Sequence, residues 1–329
     1  MMNYRKHTSY IQTICFVFTL AFFVSFGVQA QKEPQYTQYM YNVGSFNPAY
    51  VGTVEMPEIV GLYRAQWIDV PGAPRTMRFG INVPFSNEKT GLGFNVVNDE
   101  LGPTTQTYVD VAYSYQVSLS DATKLSFGLD VGGSFLHVDY EEEYFYDSNE
   151  PLLDEQVNKF YPTIGAGAFL YSENWYAGIS IPNFLTNGIY GDEVAVLVED
   201  KVQFNLIGGY VFDLSKKLKF KPAFMVNYLQ GSPVNVNVSS NFLINDVFTL
   251  GASYRVDNAV SGLAGFQISD GVFIGYSYDY NTNGLGDYNN GSHEVILKFY
   301  LGGGGARSRQ PKINNAKGKP KQIDSPRFF

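Results

Sequence analysis

Two histidines, His137 and His293, lie beyond the first 30 residues, and neither has the partners that histidine chemistry requires. The stretch HEVIL at 293–297 lacks the second histidine, four residues on, that a zinc protease needs on the same helix face. The stretch GLGFNV begins like a dinucleotide loop, but Val96 stands where that loop needs glycine. No phosphate-binding loop, nucleophile elbow or distinctive carboxylate pair is present. The sequence therefore predicts no catalytic residue, no cofactor and no enzyme activity.

Two stretches have the composition of cation sites. DYNTNGLGDYNN begins like a calcium loop, with suitable residues at places one, three, five, six and nine: Asp279, Asn281, Asn283, Gly284 and Asp287. The twelfth place needs a bidentate glutamate and is Asn290, so an ordinary Asn/Gly loop and a weak calcium site both remain open. The acidic stretch 139–156 is either a solvated outer loop or a region that gathers cations. Neither stretch predicts a defined metal site.

The first 30 residues read as a secretory signal peptide. Arg5 and Lys6 precede an apolar run, and Val28 and Ala30 are the small residues expected before a cleavage at Gln31. The alternative is an uncleaved membrane anchor. Cys15, the only cysteine, lies within this segment, so the mature chain is expected to lack disulfides and cysteine-bound metals.

Charge is divided unequally along the rest of the chain. Residues 31–301 carry 14 Lys+Arg and 30 Asp+Glu, a net charge of −16. Residues 302–329 carry seven basic residues and one acidic residue, a net charge of +6, and few apolar side chains. This composition predicts a disordered basic tail, either a solvated extension or a site that docks a periplasmic partner. No nucleic-acid partner is predicted, since the tail would follow a membrane domain in the cell envelope.

Strict alternation of apolar with small or polar residues dominates 58–301, as in Val234, Val236 and Val238 against Asn235 and Asn237. Such segments suit an all-β transmembrane antiparallel barrel with an apolar face toward lipid; a soluble sandwich or propeller is the alternative. About fourteen strands are predicted: 58–68, 74–83, 89–99, 104–118, 123–138, 161–171, 174–182, 201–212, 217–229, 233–242, 246–255, 259–268, 271–280 and 292–301.

The connections between these strands alternate in length. Short polar turns such as Ser86-Asn87 and Ser215-Lys216 interleave with long connections at about 139–160, 183–200 and 281–291. Short periplasmic turns and longer outer loops are typical of outer-membrane barrels. With an even strand number, we predict an integral outer-membrane protein with both termini, and hence the tail 302–329, in the periplasm.

Several motifs resemble those of one family. QYTQYMYNVGSFNPAYVG, residues 35–52, resembles the opening signature of the PorP/SprF family, and YRAQWIDVPGAPRT, residues 63–76, resembles its second signature. The stretches GLGFNVVNDELGP, GISIPNFL and GSHEVILKF resemble later family landmarks in order, so the resemblance spans about 35–300. The family-motif residues are Gln38, Tyr39, Asn47, Pro48, Ala49, Tyr50, Gly52, Arg64, Gln66, Trp67, Gly72, Ala73 and Pro74.

This resemblance implies a function. PorP/SprF proteins are non-enzymatic outer-membrane components of the type IX secretion and gliding machinery. The expected partners are a secreted, adhesin-like surface protein (the cargo), periplasmic motor-ring proteins of the same system, and outer-membrane lipid. A passive porin or transporter for small or hydrophobic solutes is the rival function, and a surface-exposed adhesin barrel is a second one.

The two signatures also suggest a structural role. The stretch 35–52 is uncharged and broken at Asn47-Pro48, so its backbone groups would lack partners in lipid. We predict that 31–57 plugs the lumen or clamps its rim, whereas an aromatic girdle with a short lead-in is the alternative. Alternation places Arg64 and Gln66 toward the lumen and Trp67 outward as an interface anchor. These three residues serve either strand register or partner contact.

Overall fold

The computed structural model describes residues 34–139, 157–185 and 202–301. The predicted signal peptide 1–30, the acidic stretch beyond Asp139 and the predicted tail 302–329 lie outside the described residues. No helix in the described part of the chain is long and apolar enough to cross a membrane.

Fifteen strands follow one another in these residues: β1 Glu58–Ala65, β2 Arg75–Pro84, β3 Thr90–Leu101, β4 Thr104–Ser118, β5 Thr123–Val138, β6 Val157–Ser172, β7 Trp175–Ile181, β8 Gln203–Tyr210, β9 Phe212–Ser215, β10 Leu218–Leu229, β11 Asn235–Ile244, β12 Phe248–Arg255, β13 Ala259–Ser269, β14 Val272–Asn281 and β15 Ser292–Tyr300. Four short 3₁₀ turns accompany them: Tyr39–Tyr41, Val43–Ser45, Pro48–Tyr50 and Gly284–Asp287.

The sheet closes on itself. Neighbouring strands pair antiparallel in chain order, β15 pairs with β1, and β10 pairs with both β8 and β11. Strand β9 follows β8 after Val211 alone and pairs only with β10, outside the closed ring. The predicted antiparallel barrel of about fourteen strands is therefore confirmed.

Side chains alternate between the outside of the barrel and its lumen. On β14, Tyr276, Tyr278 and Tyr280 are exposed on the outer face, whereas Ser277 and Asp279 are buried on the inner one. Large apolar side chains cover the outer face of the other strands in the same way. Because this face is apolar and the inner face is small or polar, the barrel has the surface that a lipid bilayer solvates.

The two ends of the barrel differ. One end, which we call the turn end, has short connections such as 85–89 and 270–271. At the other end, which we call the loop end, the longest connections in the sequence join β5 to β6 and β7 to β8. Three loop-end connections, 102–103, 230–234 and 256–258, are also short.

The chain enters β1 and leaves β15 at the turn end, as strand parity predicts, and the Leu301 N–H donates to the Pro57 carbonyl there (2.8 Å). The first described residues lie at the opposite end, where Asn235 donates to Gln35 (3.3 Å). Parity alone is thus an insufficient basis for placing both termini at one end, because the segment before β1 crosses the lumen. The termini themselves lie outside the described residues.

Candidate functional site

Residues 34–57 lie inside the ring of strands and contact it from many sides. All of residues 36–54 except Ser45 are buried. The segment folds into three 3₁₀ turns, the last of which begins after Asn47, whose side chain accepts from the Ala49 N–H (2.9 Å). Proline at the first position of this turn loses no hydrogen bond, because that N–H would have no partner in the turn. We call 34–46 the arm and 47–57 the anchor.

A cluster of buried ions holds the start of the arm. The backbone N–H groups of Thr37 and Gln38 donate to the two carboxylate oxygens of Glu294 (2.9 and 2.8 Å). The Thr37 hydroxyl donates to Asp279 (2.7 Å). Arg64 pairs with Asp279 (2.7 Å) and Glu294 (3.3 Å), and it also donates to Thr37 (3.1 Å). One threonine thus connects three charged residues on β1, β14 and β15.

The middle of the arm reaches other strands with neutral groups. The Tyr39 hydroxyl donates to the Ala223 carbonyl (2.9 Å) and lies 3.0 Å from the Ser239 hydroxyl. The Asn42 side-chain oxygen accepts a hydrogen bond from the Arg78 guanidinium. The Lys221 ammonium nitrogen lies 5.5 Å from the centre of the Tyr41 ring. Desolvation by burial raises the pKa of the Tyr39 and Tyr41 hydroxyls above the ordinary tyrosine value.

The anchor packs backbone against backbone. Asn47 donates to the carbonyls of Ala168 on β6 (3.1 Å) and Ile179 on β7 (3.2 Å). A Cβ built on Gly128 of β5 would lie 2.5 Å from the Cα of Ala49, and one built on Gly52 would lie 2.9 Å from the nitrogen of Gly91. Only glycine permits so close an approach at these positions. Pro48 and Tyr50 are buried in the same contact, with Tyr50 edge-on to Phe169.

A second buried ion pair lies toward the turn end, where the anchor passes into β1. Lys298 pairs with Glu58 at 3.0 Å, and both side chains are 1 % exposed. Asn82 donates to the other Glu58 oxygen (2.8 Å), and the Lys298 ammonium lies 5.4 Å from the ring centre of Tyr300. Because the charges are paired and solvated by neighbouring polar groups, they can stay ionised away from water.

The residues of the second signature separate in the structure. Arg64 is buried in the lumen, and Gln66 accepts from it at 3.5 Å, just past the end of β1. Trp67 is not on a strand: its φ of 47° is left-handed, and its N–H donates to the Ser292 hydroxyl (3.2 Å). Gly72, Ala73 and Pro74 belong to the same loop. The loop is closed by a hydrogen bond from the Gln66 N–H to the Pro74 carbonyl (3.0 Å). The predicted first strand, 58–68, therefore ends three residues early.

The chemical lookalikes do not form sites in the described part of the chain, where no group of three His, Cys, Asp or Glu residues could hold a metal. His293 contacts the Tyr276 hydroxyl (2.6 Å) on the barrel wall. In the calcium lookalike, Asn283 caps the turn Gly284–Asp287, and Asn290 donates to Asp69, so these amides serve loop structure. The stretch 91–96 lies on β3.

Sequence reasoning found the arm and Arg64 but missed the charged residues that surround them. Glu58, Glu294 and Lys298 carry no prediction from the sequence, since lone charges are common in any sequence, and Asp279 is predicted only as the first place of the calcium-like loop. The available signal was their position on the lumen side of strongly apolar strands. Lys298, for example, stands within VILKFY and is 1 % exposed.

Comparison with known protein families gives a match over most of the chain. The family model described as type IX secretion system membrane protein PorP/SprF matches residues 28–299. Among curated proteins, no relative matches this chain.

Solved structures of barrels are similar only in general shape. A KdgM porin is 8% identical, with a TM-score of 0.39 over 74% of this chain and 99% of that one. A Pseudomonas aeruginosa FadL homologue is 11% identical, with a TM-score of 0.42 over 82% and 95%. CdiB from Acinetobacter baumannii is 9% identical, with a TM-score of 0.40 over 75% and 60%. At these scores the similarity supports no inference about function.

Proposed function

Because the chain belongs to the PorP/SprF family of type IX secretion system membrane proteins, we propose that it is a non-enzymatic outer-membrane component supporting secretion or surface attachment of one large, adhesin-like protein. The observation that carries this proposal is the filled lumen. Residues 36–54, except Ser45, are buried there, and the segment is hydrogen-bonded to strands on several sides. A passive porin needs a water-filled lumen, so the rival function is disfavoured for the state with the arm and anchor docked.

In this proposal 31–57 is a plug, 58–301 is the transmembrane barrel, and the loop end faces the cell exterior. The two longest loop-end connections, 139–156 between β5 and β6 and 182–202 between β7 and β8, carry eight and four acidic residues against one basic residue, Lys201. Asp69 and Asp287, at the same end, are exposed. An acidic surface speeds association with a basic partner surface and orients it, more than it raises affinity. We therefore assign cargo binding to the loop end and the lumen rim.

The opposite end is assigned to periplasmic partners of the secretion system. The chain leaves the barrel at Leu301, which lines a cavity of about 390 Å³ together with Glu55, Glu88 and Lys124. The tail 302–329 follows directly and carries a net charge of +6. Opposite charges at opposite ends attract different partners to each end. A Gly-rich basic tail at the turn end suits a flexible tether to an acidic ring protein.

Deleting the gene tests the proposal. The deletion strain should keep general type IX secretion and lose one large protein from its surface, as measured by mass spectrometry of surface and culture fractions. Affinity purification from detergent-solubilised envelopes should recover the same protein, with a tagged unrelated barrel as the control. Normal display of the whole cargo set in the deletion strain would refute the secretion role.

A further inference from the structure

Two connections at the loop end are joined into one unit, which we call the platform: 66–74 between β1 and β2, and 282–291 between β14 and β15. Both backbone groups of Ile68 are bonded to the second connection. The Ile68 N–H donates to the Gly291 carbonyl (2.9 Å), and the Asn290 N–H donates to the Ile68 carbonyl (3.1 Å). Neither connection can therefore move without breaking hydrogen bonds to the other.

The backbone of the platform is held in a strained conformation. Trp67 and Asp69 are not glycines, yet their φ angles of 47° and 73° lie in the left-handed region. The Trp67 N–H donates to the Ser292 hydroxyl (3.2 Å), and the Gly72 carbonyl accepts from the Gly102 N–H of the β3–β4 turn (2.9 Å). Non-glycine residues persist in this region only where their surroundings hold them, and such residues cluster at ligand-binding sites. The platform therefore has a preset shape, which lowers the entropy cost of binding a partner.

The platform presents one large side chain away from the barrel. Tyr288 is 79 % exposed, the highest value for a large hydrophobic side chain in the described part of the chain. Leu285, three residues earlier, is 43 % exposed, and its carbonyl accepts from the Tyr288 N–H (3.1 Å). By comparison, the tyrosines on the outer face of β14 are 37–57 % exposed. An exposed tyrosine on a preset backbone suits the centre of a protein-binding surface, because its rigid ring buries a large area at little entropy cost.

The surroundings of Tyr288 are acidic. Asp69 and Asp287 are exposed on the platform, whose two connections contain no basic residue. The connections 139–156 and 182–202, at the same end, carry eight and four acidic residues against one basic residue. Opposite charges speed the encounter of two protein surfaces and orient it. The loop end therefore favours a partner whose contacting surface is basic.

We propose that the platform is the docking site for the secreted surface protein, and that Tyr288 inserts into an apolar pocket bordered by basic side chains on that partner. Asp69 and Asp287 face those cations. The partner comes from the proposed function, on which this docking site rests; the location and the chemistry of the contact are added here. The second signature gains a role as well, since residues 66–74 brace the connection that carries Tyr288.

Recovery of the surface protein tests the docking site. The probe is the protein that gene deletion removes from the cell surface, and the measurement is its recovery with tagged full-length barrel from solubilised envelopes. Tyr288→Ala should lower recovery about tenfold, as expected for truncation of a central aromatic contact. The matched control Tyr280→Ala, on the outer face of β14, should not. Asp287→Asn should lower recovery at low salt but not at high salt, whereas Asp257→Asn, exposed in another loop-end connection, should change neither.

A backbone variant tests whether the preset shape matters. Gly291→Ala changes no exposed side chain, but its Cβ would lie 2.5 Å from the Asp279 carbonyl oxygen at a left-handed φ of 82°. It should lower recovery as Tyr288→Ala does, whereas Gly284→Ala, whose Cβ meets nothing within 4 Å, should not. Faster migration of unboiled protein on gels shows that each variant has folded. Equal recovery with Tyr288→Ala and Tyr280→Ala would overturn the docking site and leave the secretion role standing, because gene deletion alone tests that role.

Discussion

Gly128 is the position at which a single methyl group should most clearly undock the anchor. The Gly128→Ala variant places its Cβ 2.5 Å from the Cα of Ala49, and ordinary van der Waals contact begins at 3.4 Å. The neighbours are backbone atoms of the anchor, so no flexible side chain can move aside. Because the Ala49 nitrogen and the Pro48 carbonyl carbon lie closer still to this Cβ, either β5 or the anchor must shift by more than about 1 Å.

The cost can be estimated from similar overpacked sites. Forcing an extra carbon into a close-packed contact costs about 1–3 kcal/mol. Because 1.4 kcal/mol is a factor of ten, the ratio of docked to undocked anchor should fall by about 5- to 150-fold. The barrel itself should persist, since β5 keeps its full ladders to β4 and β6.

Chymotrypsin digestion in detergent measures this ratio. The enzyme cleaves after aromatic residues, and Tyr39, Phe46 and Tyr50 are buried unless the segment undocks. When docking is fast relative to cleavage, the cleavage rate follows the undocked population and should rise by the same factor. The matched control is Gly61→Ala, where a Cβ meets nothing within 4 Å. Equal cleavage rates in the two variants would refute the anchor packing.

Three further predictions concern the ion pair, the topology and the tail. Lys298→Met should lower the free energy of unfolding in urea gel-shift assays by about 3–5 kcal/mol, because it leaves the Glu58 carboxylate buried without its cation. Adding Glu58→Leu removes that carboxylate and should restore part of the lost stability. A double variant no more stable than the single one would argue against the ion pair. An epitope near Glu143 should be labelled on intact cells, whereas one near Ser215 should not. Labelling at Ser215 would show that the barrel has the opposite orientation in the membrane. Removing 302–329 should weaken partner recovery at low salt, with the difference lost as salt shortens the screening length; equal recovery at low salt would reduce the tail to a solvated extension.

The strands could be predicted because each follows from a local pattern of alternating apolar and polar residues. Alternation over about ten residues, as in KLSFGLDVGG of β5, defines both the strand and its lipid face without any distant contact. Errors arose where one residue breaks the pattern. Trp67 takes a left-handed conformation, and β1 ends two residues before it, at Ala65. The predicted strand 201–212 runs through Val211, which separates β8 from β9, and includes only the first residue of β9. Neither Trp67 nor Val211 is a residue type that marks the end of a strand, so the sequence predicts neither break.

The candidate site was only half predictable, for a different reason. The irregular, uncharged character of 35–52 is visible locally, and so is its unsuitability for lipid. Its ligands are not local: Thr37 binds Asp279, 242 residues away, and Gln38 binds Glu294, 256 residues away. Lone acidic residues gain meaning only once the barrel has closed and placed them opposite the arm. The same holds for Arg78 and Asn42.

The arm also has a consequence for how the barrel is assembled. Arg64 on β1 and Glu294 on β15 are register partners across the strand pair that closes the ring, and both of them bind Thr37. The segment they hold is among the first parts of the barrel-forming chain to be synthesised, whereas β15 is the last strand. A growing sheet can therefore wrap around its own beginning, with Thr37 bridging the final seam from within. Biogenesis would use residues 34–57 as a template on which the wall is closed, instead of filling a finished cylinder afterwards.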